Sequence, residues 1–149
     1  MSEPEMRLQL AINVSDLDDA IDFYNRMFDT KPAKIKPGYA NYAIANPPLK
    51  FVLFENPDDA GTINHLGVET ETATEVSQAE ARMTGSGLDT TGVDDTICCY
   101  AEKTETWVTS PDGLRWEYYV KNADADQIEN IVVGSHDTGS PATTTCCAD

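Results

Sequence analysis

From Arg7 to Val14 every second residue is apolar: Leu8, Leu10, Ile12 and Val14 alternate with Arg7, Gln9, Ala11 and Asn13. This period of two predicts a strand with its leucine-rich face turned to a core and Gln9 on the less apolar face. After Ser15 the period changes. Leu17, Ala20, Ile21, Tyr24 and Phe28 fall on one helical stripe. Asp16 stands where a helix N-cap belongs, and Asp18 and Asp19 lie in the first turn, where the helix dipole favours negative charge. Lys31-Pro32 lies past the end of this helix. Residues 39–45 and 49–55 predict two further strands around the turn Asn46-Pro47-Pro48, and 56–61 reads as a linker.

A second run repeats the first. A strand is predicted at 63–70, with Leu66 and Val68 on one face and His65, Gly67 and Glu69 on the other. A helix at 74–84 carries the stripe Val76, Ala79 and Met83, and Gly85-Ser86-Gly87 stops it. Strands follow at 89–93, 105–109 and 114–120, the last after the turn Ser110-Pro111-Asp112-Gly113. Gln9-Leu10-Ala11-Ile12 matches His65-Leu66-Gly67-Val68, an offset of 65 − 9 = 56. Residues 49–54 match 114–119, an offset of 65, so the second unit is longer by 65 − 56 = 9 residues. The extra length is expected at 94–103, read as a long loop holding Cys98-Cys99. Two βαβββ modules, 6–56 and 62–121, therefore share a domain over 1–121, in the α+β class. Residues 122–149, acidic and rich in Thr, Ser, Gly and Ala, are expected to form a mostly disordered tail despite a short apolar run at 131–133.

Charge narrows the partners. Ten basic against 26 acidic residues give a net charge of −16, which repels nucleic acid and anionic lipid. Such acidity serves solubility, or adaptation to a salty cytoplasm that screens self-repulsion. No run approaches the roughly 18 apolar residues of a membrane span, and Met1 to Met6 does not read as a signal peptide. A cytoplasmic protein is expected, binding no nucleic acid and no membrane; a homodimer is compatible.

The four cysteines stand as two adjacent pairs, Cys98-Cys99 and Cys146-Cys147. Neighbouring Cα atoms lie about 3.8 Å apart, below the roughly 4.4 Å floor for ordinary disulfides. Side by side, two thiols are suited to clamping one soft, thiophilic atom. The lesser reading is that they are small core residues, although adjacent side chains on an extended segment face opposite ways. Cys146-Cys147 is either a dispensable end or an arm bringing a further thiol to the same atom.

The repeat makes Gln9 equivalent to His65, and Val52 to Glu117. If the first and last strands of both modules line one cup, these four side chains converge. An amide oxygen, an imidazole and a carboxylate suit a divalent first-row metal such as Fe(II) or Mn(II), with positions left open for substrate and O2. Taken singly, Gln9 reads as a solvated strand residue and His65 as an ordinary strand histidine. Glu117, flanked by Trp116, Tyr118 and Tyr119, would need a cation partner if buried.

The paired modules resemble the vicinal oxygen chelate superfamily of glyoxalases, extradiol dioxygenases and bleomycin-resistance proteins. A narrower resemblance rests on Gln9-Leu10-Ala11-Ile12-Asn13-Val14, Phe23-Tyr24, Lys36-Pro37-Gly38-Tyr39-Ala40-Asn41, Asn64-His65-Leu66-Gly67-Val68 and Cys98-Cys99-Tyr100-Ala101. These are similar to the organoarsenical C–As lyases, a group whose members also carry cadmium-induced or glyoxalase-like names. The resemblance implies one cup-shaped mixed sheet and an enzyme using non-heme Fe(II) and O2. Such an enzyme breaks the carbon–arsenic bond of a small trivalent organoarsenical such as methylarsonous acid. It implies that Gln9, His65 and Glu117 bind iron, and that Cys98 and Cys99 bind arsenic; Cys146 and Cys147 are further candidates for arsenic. Two rival readings remain at this point: a non-catalytic binder of soft metals such as Cd(II) or As(III), and a glyoxalase or extradiol dioxygenase acting on carbon. The second leaves Cys98-Cys99 unexplained, and a glyoxalase would want a carboxylate where Val52 stands.

Overall fold

The computed structural model describes residues 6–98, 100–124 and 131–133. They form two compact units, Arg7–Leu66 and the chain from Gly67 onward. In the first unit β1 (Arg7–Val14) leads to helix α1 (Leu17–Phe28), then to β2 (Lys34–Lys36), β3 (Tyr39–Ile44) and β4 (Leu49–Glu55). A short 3-10 turn at Pro57–Asp59 precedes β5 (Ile63–Glu69). The second unit holds the end of β5, helix α2 (Ala73–Gly85), β6 (Asp94–Cys98), β7 (Ala101–Thr109), β8 (Arg115–Asp124) and β9 (Ile131–Val133).

In the first unit β1 runs parallel to β4, and β4, β3 and β2 follow as antiparallel neighbours. The core packs Leu17, Ala40, Tyr42, Ile44, Phe51 and Leu53 against the α1 stripe and against Leu10, Ile12 and Val14. Its centre is aromatic, with the Phe51 ring 4.8 Å from Tyr24 and 5.6 Å from Phe28, both edge-on. Asp16 caps α1 as its sequence position predicts, accepting from the Asp19 N–H at 2.9 Å. Glu55 satisfies a second orphan donor, Leu17 N, at 2.8 Å. Strand β2 was not predicted; three residues, Lys34–Lys36, are too few to show a period.

The second unit is antiparallel from β8 through β7 and β6 to β9. Thr72 and Glu75 cap α2 reciprocally, and Val76, Ala79 and Met83 are buried as their stripe predicts. Two expectations are corrected here. Residues 94–103 are not a long loop: Asp94–Cys98 pairs with 101–105 as a hairpin closed by a two-residue turn. Residues 89–93 form no strand; they meet β7 at an isolated bridge, Thr90 to Val108, beside which Trp107 N donates to Thr91 Oγ1 at 3.0 Å. The sequence Asp94-Asp95-Thr96 looks like loop by composition, but Thr104 donates to Asp95 at 2.6 Å and Thr96 to Glu105 at 2.9 Å. Cross-strand polar pairs thus stand where apolar alternation was sought. At the other end, β8 runs on to Asp124, and Ile131–Val133 pairs antiparallel with β6. Part of the segment expected to be tail therefore joins the sheet of the second unit. Among the described residues no helix is long and apolar enough to cross a membrane.

The faces of β1 also differ from expectation. Gln9, Ala11 and Asn13 are 6%, 0% and 2% exposed, whereas Leu8 is 48% exposed. Both faces of β1 are covered: Leu10, Ile12 and Val14 meet the core beneath α1, and the polar face is the more deeply buried of the two.

Candidate functional site

Buried polar side chains cost free energy unless they are satisfied or serve another purpose. Both units contain such a group, and the proposed ligands lie in them. In the first unit, register places Gln9, Ala11 and Asn13 beside Lys50, Val52 and Phe54 of β4. In a parallel ladder these neighbours share one face. The His65 ring lies 6.3 Å from that of Phe54, on the same side. His65 is 2% exposed, and its Nδ1 lies 2.8 Å from Asn64 Oδ1. Gln9 Oε1 is buried with no hydrogen-bond partner. Gln9 is therefore not the solvated residue that its pattern suggests. Val52, the repeat equivalent of Glu117, is an ordinary buried apolar residue.

In the second unit Glu117 is fully buried on β8, opposite Trp107 of β7. The cation its burial demands is supplied by Lys103, whose Nζ lies 3.4 Å from Glu117 Oε2. The same ammonium is 3.9 Å from Glu105 Oε2 and 5.0 Å from the centre of the Tyr119 ring. Glu105 accepts from Thr96 at 2.9 Å. Burial pushes the Glu105 carboxyl up to about 7; Lys103 opposes the shift, and the charge and hydrogen bond of Glu117 reinforce it. Two acids thus share one ammonium, and the second acid holds its proton into the neutral range. Sequence reasoning missed Lys103 and Glu105. Their signal was an i, i+2 pair one strand away from Glu117, hidden while residues 94–103 were read as loop.

Cys98 closes β6, with its backbone paired to Ala101. Tyr100, in the turn, is buried and has a φ of 61°, a left-handed conformation that costs an ordinary residue about 1–2 kcal/mol. Cys99, Cys146 and Cys147 lie outside the described residues, as does the side chain of Cys98. Among the described residues, no three His, Cys, Asp or Glu side chains form a metal-sized group. The proposed set contains two such residues, His65 and Glu117, and an amide.

A family model, the Glyoxalase/Bleomycin resistance protein/Dioxygenase superfamily, matches residues 8–118. The chain belongs to this superfamily. Among its members, the trivalent organoarsenical cleaving enzyme of Thermomonospora curvata is 51% identical over 123 residues, covering 82% of each chain. The cadmium-induced protein CadI of Mycobacterium tuberculosis is 49% identical over 145 residues, covering 95% of this chain and 92% of its own. Solved structures share the fold at low identity. The Mn(II)-bound glyoxalase of Novosphingobium aromaticivorans aligns at a TM-score of 0.57 and 18% identity, over 83% of this chain and 42% of its own. Methylmalonyl-CoA epimerase of M. tuberculosis aligns at 0.55 and 16%, over 77% and 86%. The α+β class and the doubled module predicted from sequence are those of the superfamily.

Proposed function

We propose that this chain cleaves the carbon–arsenic bond of trivalent organoarsenicals, converting methylarsonous acid to arsenite with Fe(II) and O2. The observation that carries the reading is the 51% identity with a trivalent organoarsenical cleaving enzyme across most of both chains. The side chains of the two units are consistent with it. Gln9, His65 and Glu117 are the proposed iron ligands, and an amide oxygen, an imidazole and a carboxylate are a donor set that a divalent first-row metal accepts. Each is buried on its own strand, and Gln9 Oε1 is a polar atom without a hydrogen bond, as a ligand atom awaiting its ion would be. A bound Fe(II) supplies the redox capacity that lets O2 react with the carbon–arsenic unit.

The chain's own residues do the rest. Cys98 and Cys99 are the proposed arsenic ligands, acting as thiolates, so both must lose their protons on binding. Two thiolates from adjacent residues fix the arsenic and direct its carbon substituent, which makes the reaction effectively unimolecular. Cys146 and Cys147 are proposed as additional thiols for the same atom. Lys103, 3.4 Å from Glu117, supplies a counter-charge to that buried carboxyl.

The test is anaerobic reconstitution with Fe(II), addition of methylarsonous acid with and without O2, and arsenic speciation. Arsenite is expected only when iron and O2 are both present. Tight binding without cleavage would instead favour a soft-metal binder. Neither binding nor turnover would return the chain to the carbon-directed members of its superfamily.

A further inference from the structure

A chain of hydrogen bonds inside the first unit ends on His65. At its surface end the Thr62 hydroxyl donates to the Asp59 carbonyl at 2.6 Å. A carbonyl cannot donate, so the Thr62 proton is committed there and Oγ1 is left to accept. It accepts from Asn13 Nδ2 at 2.9 Å, which fixes the sense of the Asn13 amide. Asn13 Oδ1 then accepts from Asn64 Nδ2 at 3.1 Å. The second amide is fixed in turn, and its Oδ1 faces His65 Nδ1 at 2.8 Å. An amide oxygen only accepts, so the proton of this last contact belongs to the ring. Reversing the chain would require Thr62 to withdraw its proton from Asp59, leaving two oxygens 2.6 Å apart with no hydrogen between them.

We infer that Thr62, Asn13 and Asn64 lock His65 in its Nδ1-protonated tautomer, so that Nε2 carries the lone pair a metal takes. Asn13, Asn64 and His65 are buried at 2%, 7% and 2% exposure, out of reach of water that could reverse the sense. The three are positioning residues. The tautomer stands on the hydrogen bonds alone; its use for coordination rests on the proposed function.

The experiment reads the tautomer directly in metal-free protein. Histidine rings are labelled with 15N, His136→Gln leaves His65 as the only ring, and two-bond 15N–1H correlations are recorded at pH about 9, well above the ordinary histidine range near 6.5. The wild-type ring is expected to carry its proton on Nδ1. Asn64→Ala removes the acceptor and should populate the Nε2-protonated form. Thr62→Val, at the surface and three residues away, should do the same by freeing the amides to turn, and Thr62→Ser should restore the wild-type spectrum. A wild-type ring protonated on Nε2, or spectra unchanged in both Asn64→Ala and Thr62→Val, would overturn the lock. Should Asn64→Ala not fold, the Thr62 pair still decides. Co(II) titration is the second readout: losing the orienting partner should weaken binding roughly ten- to a hundredfold. An Nδ1-protonated ring that responds to the variants, in a protein that binds no Co(II), would sustain the lock and remove the metal reading.

Discussion

Val52 and Glu117 hold equivalent places in the two halves of the repeat, and both are buried, at 2% and 0% exposure. Val52 pairs with Ala11 and Asn41 on the Gln9 face of β4, and the opposite face of that strand packs Phe51, Leu53 and Tyr42 against the rings of α1. Around Glu117 the second unit holds an ammonium, a second carboxyl and the threonine bonded to it. One strand plan therefore serves two ends. The first unit gains stability from apolar burial at roughly 25 cal/mol per Å². The second accepts charges whose desolvation consumes most of what their attraction returns. The comparison locates stability in one half and electrostatic readiness in the other.

The largest effect should come from breaking the charge cluster one-sidedly. Lys103→Met leaves Glu117 buried without its cation and should cost roughly 3–5 kcal/mol in urea unfolding of the metal-free protein. Copying the Val52 solution, Lys103→Leu with Glu105→Leu and Glu117→Val, should regain most of that loss and abolish Co(II) binding. If the triple variant were as unstable as Lys103→Met, the cluster would be contributing more than its own desolvation cost. In the first unit Leu53→Ala should cost roughly 2–5 kcal/mol yet leave metal affinity within about twofold, since Leu53 lies in the apolar core and not on the Gln9 face.

A smaller effect is set by pH. The carboxyl of Glu105 is raised from an ordinary 4.5 to about 7, so between these values the folded chain holds a proton that the unfolded chain releases. Its contribution is full below about pH 4.5 and lost as pH rises through about 7, roughly 3 kcal/mol in all. Metal-free protein should melt lower at pH 8 than at pH 5 from this source. Glu105→Gln, which mimics the protonated acid, should flatten that difference; an unchanged slope would show that Glu105 does not carry it. Last, the two hairpins can be compared at their tips. Gly38 has a φ of 69° and an added Cβ would meet nothing closer than 4.0 Å, so Gly38→Ala should cost only the backbone term, about 1–2 kcal/mol by thermal melting.

Elements with local chemical signals were legible in the sequence. Asp16 at the start of α1 was one, and so was the stripe of α2. The repeat also ranked Gln9 above its neighbours, although alternation alone placed it on the wrong face. Alternation failed there because it takes polarity as a sign of solvent, and in this chain the polar face of β1 is inside. It failed again at 94–98, where the strand is held by threonine and acid side chains bonded across the hairpin. Lys103 and Glu105 were illegible for the same reason: only the pairing of β7 with β8 brings them beside Glu117. The relay behind His65 depends on Thr62 and Asn13, 49 positions apart, whose contact no local pattern encodes.

The turn between Cys98 and Ala101 also bears on what changes of length this chain can accept. It has the same two-residue span as Pro37-Gly38, with its second residue in the same left-handed conformation. Because strand side chains alternate, one residue inserted or deleted at this tip would exchange the faces of the β6 residues relative to β7. Thr96 would turn away from Glu105, while Lys103 and Glu105 would keep their places beside β8. The number of residues at the tip is therefore tied to a hydrogen bond between the two strands it joins.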